Sequence, residues 1–420
     1  TASITITAEG TSTITAYTLD KAGNVSAAKT QVVYKDATVP TASITVGTKT
    51  QTSIAITVNA SDATSGLATS RTYKYYLNQE STPRATNTTK TYTYSGLTAG
   101  TSYTLKVEVT DKAGNVKTVS TTASTEKKDE VGDFVGGGSF GTSTQIQDSL
   151  QNKVWIPGGF KVASDSGTRV EDGIVIEDSK GNQFVWVPVG TYKTSSGNKT
   201  NNLSRRTFTE TGAREVSGDD YIFYNGTSYN YVGEGNYHSV ASKTIGAFKT
   251  SATTKGGFYI GRYEQGTGNV IKKNVAPYVN ITRDNAKTQA EAIDGGSSYV
   301  VSELISSYAW DTALNFICQT NSAGYTLATT TSSTYGNINT NSKTNTGMYT
   351  ADKYSNICDI LGNCFEWTTE YSSDSGDPCV LRGGFCYVSI FIDYYAAYRG
   401  SSSTSTSNTD FSFRTQLYIK

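Results

Sequence analysis

The sequence predicts a mostly β protein whose C-terminal part is an α+β domain. Its 420 residues include 29 Tyr and 40 Gly but only one His and one Met. Most apolar runs have the length of a strand rather than of a helix, and one short segment recurs in the first third of the chain. A chain of this length corresponds to about two to four domains, each large enough to bury its own core.

The charge balance and the apolar runs exclude two classes of partner. The 36 basic and 36 acidic residues cancel, so the chain carries no electrostatic footprint for nucleic acid. No apolar run is long enough to cross a bilayer, so we expect no membrane insertion. The composition is typical of an extracellular protein. The chain begins at Thr1 within a strand-like pattern and without a signal peptide, which suggests a fragment or a processed form.

The recurring segment indicates immunoglobulin-like modules. Asp-Lys-Ala-Gly-Asn occurs at residues 20–24 and at 111–115, a spacing of 91 residues, which is about the length of one immunoglobulin-like sandwich. Before the second copy, apolar residues alternate from Tyr103 to Val109, which predicts a strand with one buried face and then a Gly-Asn hairpin turn. This stretch resembles the end of a fibronectin type III module, in which Gly96-Leu97 and Tyr103 mark the corner before a late strand.

These patterns divide the chain into four parts. We expect the remnant of one immunoglobulin-like module at residues 1–36 and a complete immunoglobulin-like or fibronectin type III-like module at 37–125, both acting as spacers. Residues 126–149 are charged and then rich in glycine, which predicts a flexible linker. The α+β domain is predicted over residues 150–420.

The C-terminal domain is predicted to combine strands with one helix. Residues 154–163 (VWIPGGFKVA) and 182–192 (NQFVWVPVGTY) have the pattern of strands. Residues 306–319 (SSYAWDTALNFICQ) predict a helix, because Ala309, Ala313, Phe316 and Ile317 fall on one face at helical spacing.

Six short motifs in this domain resemble the formylglycine-generating-enzyme (sulfatase-modifying factor) branch of the C-type lectin fold. They are Gly257–Glu264 (GFYIGRYE), Trp310–Ala313, Asp359–Thr368 (DILGNCFEWT), Arg382-Gly383-Gly384, Ala397-Tyr398-Arg399 and Phe413-Arg414. The resemblance covers about residues 150–420. It implies that Trp367 lies in the core and that Glu366 pairs with a buried arginine, either Arg399 or Arg414. Gly383-Gly384 would allow a positive φ or a close backbone approach.

The resemblance also implies an oxidase activity that the cysteines here do not support. The family oxidises a substrate cysteine with a pair of copper-binding cysteines that follows an RGGS-like motif, whereas the corresponding stretch of this chain holds Cys386 alone. The five cysteines include no CxxC, and His238 is the one histidine, so a zinc site is not expected. We expect core or free thiols, no catalytic residues, no bound metal and no cofactor, with structural calcium left open.

A second group with this fold, the variable proteins of diversity-generating retroelements, is similar to this chain in layout. In that group a reverse transcriptase copies a template repeat and randomises its adenines, so that the copied C-terminal side chains form an exposed binding face. Here RGG and AAYRG border the apolar run 385–393 (FCYVSIFID), and the polar run 401–410 (SSSTSTSNTD) precedes a strand-like end. Every residue of both runs can arise from an Asn codon with randomised adenines. The resemblance implies a variable region of about residues 382–415.

The predicted binding residues belong to these two runs and the segment between them. Aromatic and small polar side chains are typical of adaptable binding surfaces, and an exposed apolar cluster marks an interaction site. The predicted ligand-binding residues are Phe385, Cys386, Tyr387, Val388, Ser389, Ile390, Phe391, Ile392, Asp393, Tyr395, Ser401, Ser403, Ser405, Ser407, Asn408 and Asp410.

The predicted function is non-catalytic ligand binding or adhesion outside the cell, on a bacterial surface or a phage tail. The expected partner is an unknown protein or glycan receptor on another cell, and the oligomeric state is left open. Two alternatives stay open as well. In the first, residues 385–393 form an ordinary core strand, as Val and Ile favour, and the protein is a surface component of fixed specificity. The second is a catalytic oxidase, for which the second thiol is missing.

Overall fold

The protein is mostly β, as its sequence predicts, in a computed structural model. The structure describes residues 3–216, 221–224, 229–232, 241–371, 376–387 and 395–420. The chain divides into two compact units, Thr1–Lys128 and Asp129–Lys420. Within the described ranges, no helix is both long and apolar enough to cross a membrane.

The first unit is built of antiparallel strands. A hairpin of β1 and β2 precedes two sheets, which have the strand orders β3-β4-β7 and β6-β5-β8-β9. The strands are β1 (Gly10–Ala16), β2 (Lys29–Lys35), β3 (Thr41–Lys49), β4 (Ile54–Ser61), β5 (Tyr73–Leu77), β6 (Ala85–Asn87), β7 (Thr91–Tyr94), β8 (Ser102–Thr110) and β9 (Val116–Ser124).

One hydrophobic core joins the two sheets of the first unit. Every second residue of β4, from Ile54 to Val58, is buried, and so are Leu105, Val107 and Val109 of β8, as the alternating pattern predicts. Leu97 is buried at the predicted corner, where the Thr98 amide donates a hydrogen bond of 2.8 Å to the Tyr103 hydroxyl.

Both copies of Asp-Lys-Ala-Gly-Asn fold into the same turn. In the second copy, Asn115 donates from its backbone and its side chain to the two carboxylate oxygens of Asp111, each at 2.8 Å. Asn24 makes the same two bonds to Asp20, at 2.9 and 2.8 Å. The glycine that precedes each Asn has a positive φ, +84° at Gly23 and +95° at Gly114, which a residue with a Cβ adopts only at a cost. The repeat is therefore a structural turn.

The second unit mixes strands with helices. Its strands are β10 (Thr144–Gln147), β11 (Lys153–Ile156), β12 (Lys161–Val162), β13 (Val175–Glu177), β14 (Gln183–Pro188), β15 (Gly190–Thr194), β16 (Gly197–Asn201), β17 (Arg205–Thr209), β18 (Gly212–Val216), β19 (Tyr221–Tyr224), β20 (Tyr229–Val232), β21 (Gly257–Gly261), β22 (Val300–Leu304), β23 (Lys353–Tyr354), β24 (Ile357–Cys358), β25 (Phe365–Tyr371), β26 (Cys379–Arg382), β27 (Arg399–Ser402), β28 (Phe411–Phe413) and β29 (Thr415–Ile419). Its helices are α1 (Val131–Phe134), α2 (Ala241–Lys255), α3 (Arg283–Glu291), α4 (Ser307–Thr320) and α5 (Thr326–Thr329).

Two sheets organise the second unit. The larger has the order β12-β13-β14-β21-β29-β22 and is antiparallel throughout. The smaller has the order β27-β26-β25-β28, with β25 and β28 parallel. The predicted helix is present as α4, and the Ser306 hydroxyl caps it by accepting from the Ala309 amide at 3.2 Å. The helix is buried from Ser307 to Cys318 and not only on the predicted face.

The prediction of a flexible linker over residues 126–149 is wrong from Asp129 onwards. These residues belong to the second unit, where Val131 and Ile146 are fully or almost fully buried in its core. Phe134 and Phe140 pack against each other with ring centroids 5.0 Å apart. Apolar side chains between the glycines therefore hold this segment against the core, because their burial offsets the conformational entropy that glycine loses.

Candidate functional site

Two buried arginines hold the ends of the segment that contains the predicted binding run. Arg382 is the last residue of β26 and Arg399 the first residue of β27, and the two pair across the sheet. Residues 383–398 therefore leave and re-enter the small sheet at adjacent points. Between the two arginines lies Asp311 of α4, which accepts from Arg382 Nη2 at 2.6 Å and from Arg399 Nη2.

A second acid, Glu370 of β25, completes this ion-pair network. Its carboxylate accepts from Arg399 Nε at 3.3 Å, from Arg205 at 3.4 Å and from the Ser307 hydroxyl. Burial alone would raise the pKa of Asp311, but Arg382 and Arg399 outweigh it and hold that pKa below its usual value. The network is ionised and buried, so it holds both ends of segment 383–398 in place.

The centre of the small sheet contains the pair implied by the resemblance. Arg414 donates to both oxygens of Glu366, at 2.7 and 2.9 Å, and both side chains are buried. Arg414 is thus the partner of Glu366, and Arg399, the other candidate, belongs to the Asp311 network. Trp367 is buried, as expected, and its indole N–H donates to the Ile281 carbonyl at 2.9 Å.

Three further acids are buried near this pair without an arginine of their own. Glu264, Asp352 and Asp359 are all at most 1% exposed. Within the described part of the chain, both oxygens of Asp352 and one oxygen each of Glu264 and Asp359 have no hydrogen-bond partner. Burial raises the pKa of Asp359 to about 6 and raises those of Glu264 and Asp352 well above their usual values. These carboxyls therefore bind protons more readily in the folded protein than in the unfolded chain.

The start of the predicted binding run is only partly exposed. Gly383 and Gly384 have the expected positive φ, +92° and +72°. Phe385 is half-buried and stacks on Phe365 with ring centroids 5.0 Å apart, while Tyr387 is 39% exposed. Residues 383–387 form bends rather than a strand. Val388, Ser389, Ile390, Phe391, Ile392 and Asp393 lie outside the described residues, as does His238.

The assignment of Cys386 to the exposed binding face is wrong. Its side chain is fully buried. Its backbone is bonded on both sides, since its amide donates to the Asn363 carbonyl at 3.3 Å and its own carbonyl accepts from the Asn341 amide at 2.9 Å. A small apolar thiol is readily buried, and the backbone bonds direct it inwards here. The sequence run gave no alternation from which this could be inferred.

The polar run 401–410 is largely exposed and ends sharply at a buried strand. Ser401, Ser405, Ser407 and Asn408 are exposed, and Ser403 and Asp410 are half-buried. Asp410 pairs with Lys343 at 3.0 Å, while Ser412 to Ile419 are all buried. Tyr395, between the two runs, is half-buried and packs against the core.

The five cysteines are free, as predicted, and all five are buried, Cys386 against the prediction. Burial raises the pKa of Cys386 to about 11 and that of Cys318 and Cys358 to about 12, and it raises those of Cys364 and Cys379 as well. All five are therefore protonated thiols at neutral pH.

In the first unit, three acids lie close together. Carboxylate oxygens of Asp36, Asp62 and Asp111 are within 4.8 Å of one another. Acidic groups often lie this close without an ion, so the cluster does not by itself define a metal site.

Sequence reasoning missed the network around Asp311. Asp311 is the one charged residue of α4, and a lone acid in a largely apolar helix is a signal for a buried ion pair. Its partners could not be named, because Arg382 and Arg399 are distant from it in sequence and only the fold brings them together.

No family model matches the chain. It is similar to exoglucanase B from Cellulomonas fimi, with 38% identity over an alignment of 142 residues that covers 30% of this chain and 13% of that protein. Among solved structures, chitinase ChiA74 from Bacillus thuringiensis aligns with a TM-score of 0.19 and 16% identity, over 49% of this chain and 25% of its own. The twitchin kinase region from C. elegans aligns with a TM-score of 0.18 and 12% identity, over 35% of this chain and 31% of its own. The chain thus spans a small part of each.

Proposed function

We propose that the protein is a non-catalytic, extracellular binding protein whose C-terminal surface, formed by residues 385–393 and 401–410, is diversified by a retroelement to bind protein or glycan receptors. The first unit would be an immunoglobulin-like spacer. The second would be a C-type lectin fold of the formylglycine-generating-enzyme type, carried on a bacterial surface or a phage tail.

The observation that carries this proposal is the contrast between the buried residues that border the two runs and the exposed residues of the second run. Arg382 and Arg399, the borders of the first run, are buried in one ion-pair network with Asp311. The second run is largely exposed, yet the strand that follows it is buried without interruption from Ser412 to Ile419. A scaffold of this kind tolerates changes within the second run, because that run contributes little to the core, and forbids changes at the buried borders.

The state of the cysteines supports a binding role over oxidase chemistry. The stretch after RGG offers one thiol, Cys386, which is buried and whose pKa is raised to about 11. The copper site of the similar oxidases uses a pair of cysteines, so a single buried thiol fits a core position instead.

The proposal is tested by changing the exposed positions in the full chain. One library randomises residues 388–393 together with Tyr387, Ser401, Ser405, Ser407 and Asn408. The library is displayed and selected for binding to hen egg-white lysozyme as an arbitrary target. We expect most members to fold and some to bind at micromolar affinity or better, with binding lost when the selected residues are reverted. A matched library randomises eleven exposed positions of β1, β2 and β9.

Two outcomes would contradict the proposal. If most members of the C-terminal library fail to fold, the two runs are part of the fold and not a variable surface. If both libraries yield binders equally often, the C-terminal surface has no special capacity for binding.

A further inference from the structure

One loop outside the two predicted binding runs contacts both of them. This loop, residues 337–344, lies between α5 and β23. The backbone amide of Asn341 donates to the Cys386 carbonyl, in the first run, at 2.9 Å. The Lys343 ammonium pairs with Asp410, in the second run, at 3.0 Å, and these two side chains are only 20% and 21% exposed. Loop 337–344 therefore adjoins the start of the first run and the end of the second.

Buried amide side chains hold this loop in one conformation. Asn337 and Asn363 are fully buried, and the Asn337 amide group donates to the Asn363 side chain at 2.8 Å. It also donates to the Ser342 carbonyl at 3.0 Å. The Asn363 side chain accepts from the Thr344 backbone amide at 2.9 Å and donates to the Thr344 carbonyl at 3.1 Å. Buried polar groups that bond to one another in this way specify a single arrangement, so the loop is a fixed support beside the runs.

The turn of the loop presents neutral polar side chains to solvent. Asn339, Asn341 and Ser342 are exposed. Both asparagines have a φ of +56°, which asparagine adopts more readily than most residues that carry a Cβ. Tyr387, which directly follows the carbonyl that Asn341 binds, is 39% exposed. Tyrosine, asparagine and serine together are typical of antibody binding surfaces, so this combination suits a protein ligand.

We propose that loop 337–344 is a third, constant part of the binding surface and contacts a protein ligand together with the two variable runs. Asn339, Asn341 and Ser342 hydrogen-bond to the backbone of the ligand, because amide and hydroxyl groups both donate and accept. The runs determine which ligand binds, whereas the loop supplies the same polar groups in every variant. This inference rests on the proposed function, since it concerns the same surface.

The test uses several independent lysozyme binders selected from the C-terminal library, each as the full chain, and measures the Kd by surface plasmon resonance. Asn339→Gly, Asn341→Gly and Ser342→Ala are introduced singly into every binder. Glycine removes the amide and adopts the positive φ without strain. Each change should raise the Kd of most binders about threefold to tenfold, as a lost hydrogen bond does. Asn78→Gly is the matched control, since Asn78 is an exposed asparagine of the first unit with a φ of +53°, and it should leave the Kd unchanged.

The outcomes separate this inference from the proposed function. If the loop variants leave the Kd of most binders unchanged, the inference is wrong and the proposed function stands. If the C-terminal library yields no binders, the proposed function fails and the inference fails with it. Weakening by Asn78→Gly as large as that by Asn339→Gly would overturn the inference, because the effect would not depend on the loop.

The urea midpoint of each variant distinguishes weaker binding from loss of fold. An unchanged midpoint shows that the fold is intact. Where a glycine variant lowers the midpoint, Asn339→Asp or Asn341→Asp replaces it, because aspartate tolerates the same φ and its carboxylate cannot donate. The aspartate variant should also raise the Kd, and an unchanged Kd would overturn the role of that side chain.

Discussion

Replacing Asp311 by Asn should destabilise the second unit strongly, because this one carboxylate balances two buried arginines. Asp311 is fully buried, and its carboxylate accepts hydrogen bonds from Arg382 at 2.6 Å and from Arg399. Asparagine keeps the shape but removes the charge. Arg399 would retain Glu370 at 3.3 Å, while Arg382 would lose its anion. Removing one partner of a buried pair costs about 3–5 kcal/mol.

The assay can isolate the second unit. All four tryptophans of the chain, at positions 155, 186, 310 and 367, lie in that unit. Urea unfolding followed by tryptophan fluorescence therefore reports the second unit, and the free energy of unfolding of Asp311→Asn should fall by about 3–5 kcal/mol. In a thermal scan this corresponds to a decrease in Tm of roughly 6–20 °C for a domain of about this size.

A matched control removes a carboxylate from an exposed pair. Glu291 pairs with Lys287 at 2.6 Å, and each side chain is 44% exposed. Glu291→Gln should change the free energy of unfolding by about 0.5 kcal/mol or less. If Asp311→Asn stays within about 1 kcal/mol of the unsubstituted protein, the network does not hold the ends of segment 383–398, and the reasoning that makes those ends a scaffold is refuted.

Three further results are expected. Burial raises the pKa of Asp359 to about 6, so its carboxyl binds a proton more tightly in the folded protein than in the unfolded chain. Because the stability that this carboxyl contributes at low pH is lost as the pH rises through 6, the urea midpoint should be higher at pH 5 than at pH 7.5. A lower midpoint at pH 5 would be the contrary result. Gly383→Ala should lower the free energy of unfolding by about 1–3 kcal/mol, because Gly383 has a φ of +92° and a Cβ there would lie 3.2 Å from the Trp310 ring. Gly138→Ala has open space around its Cβ and should be nearly neutral in the same unfolding assay. Thiol-reactive dye should label Cys386 and the other cysteines only after unfolding, since all five are buried; rapid labelling of the native protein would show an accessible thiol.

Local sequence patterns predicted those parts of the fold that depend on neighbouring residues. The alternation of apolar residues around Leu105 and Val107 specified a strand with one buried face, and the spacing of Ala309, Ala313 and Phe316 specified α4. The resemblance of the Glu366-Trp367 segment to a known motif narrowed the arginine partner to two, of which Arg414 is correct. Contacts of long sequence separation were out of reach. Asp311 lies 71 residues from Arg382 and 88 from Arg399, and no local pattern identifies such a pair.

Two errors have a common physical cause. The segment from Asp129 to residue 149 has the composition of a linker, so its composition predicted that it is exposed to solvent. Cys386 lies in a run whose apolar and polar residues do not alternate, so the run gave no sign that this side chain is buried. In both cases a few contacts decide the outcome: Val131 and Ile146 reach the core, and the backbone bonds of Cys386 to Asn363 and Asn341 direct its side chain inwards. Composition gives an average tendency and cannot locate such contacts.

The most direct test of the proposed diversified surface is the DNA sequence around the coding region. We predict a near-copy of the last coding stretch close by, with adenine-rich Asn codons opposite residues 385–393 and 401–410 and with unchanged codons opposite Arg382 and Arg399, next to a reverse transcriptase gene. A locus with neither the near-copy nor the reverse transcriptase would contradict the proposal, and the exposed run at residues 401–410 would then belong to a surface of fixed specificity.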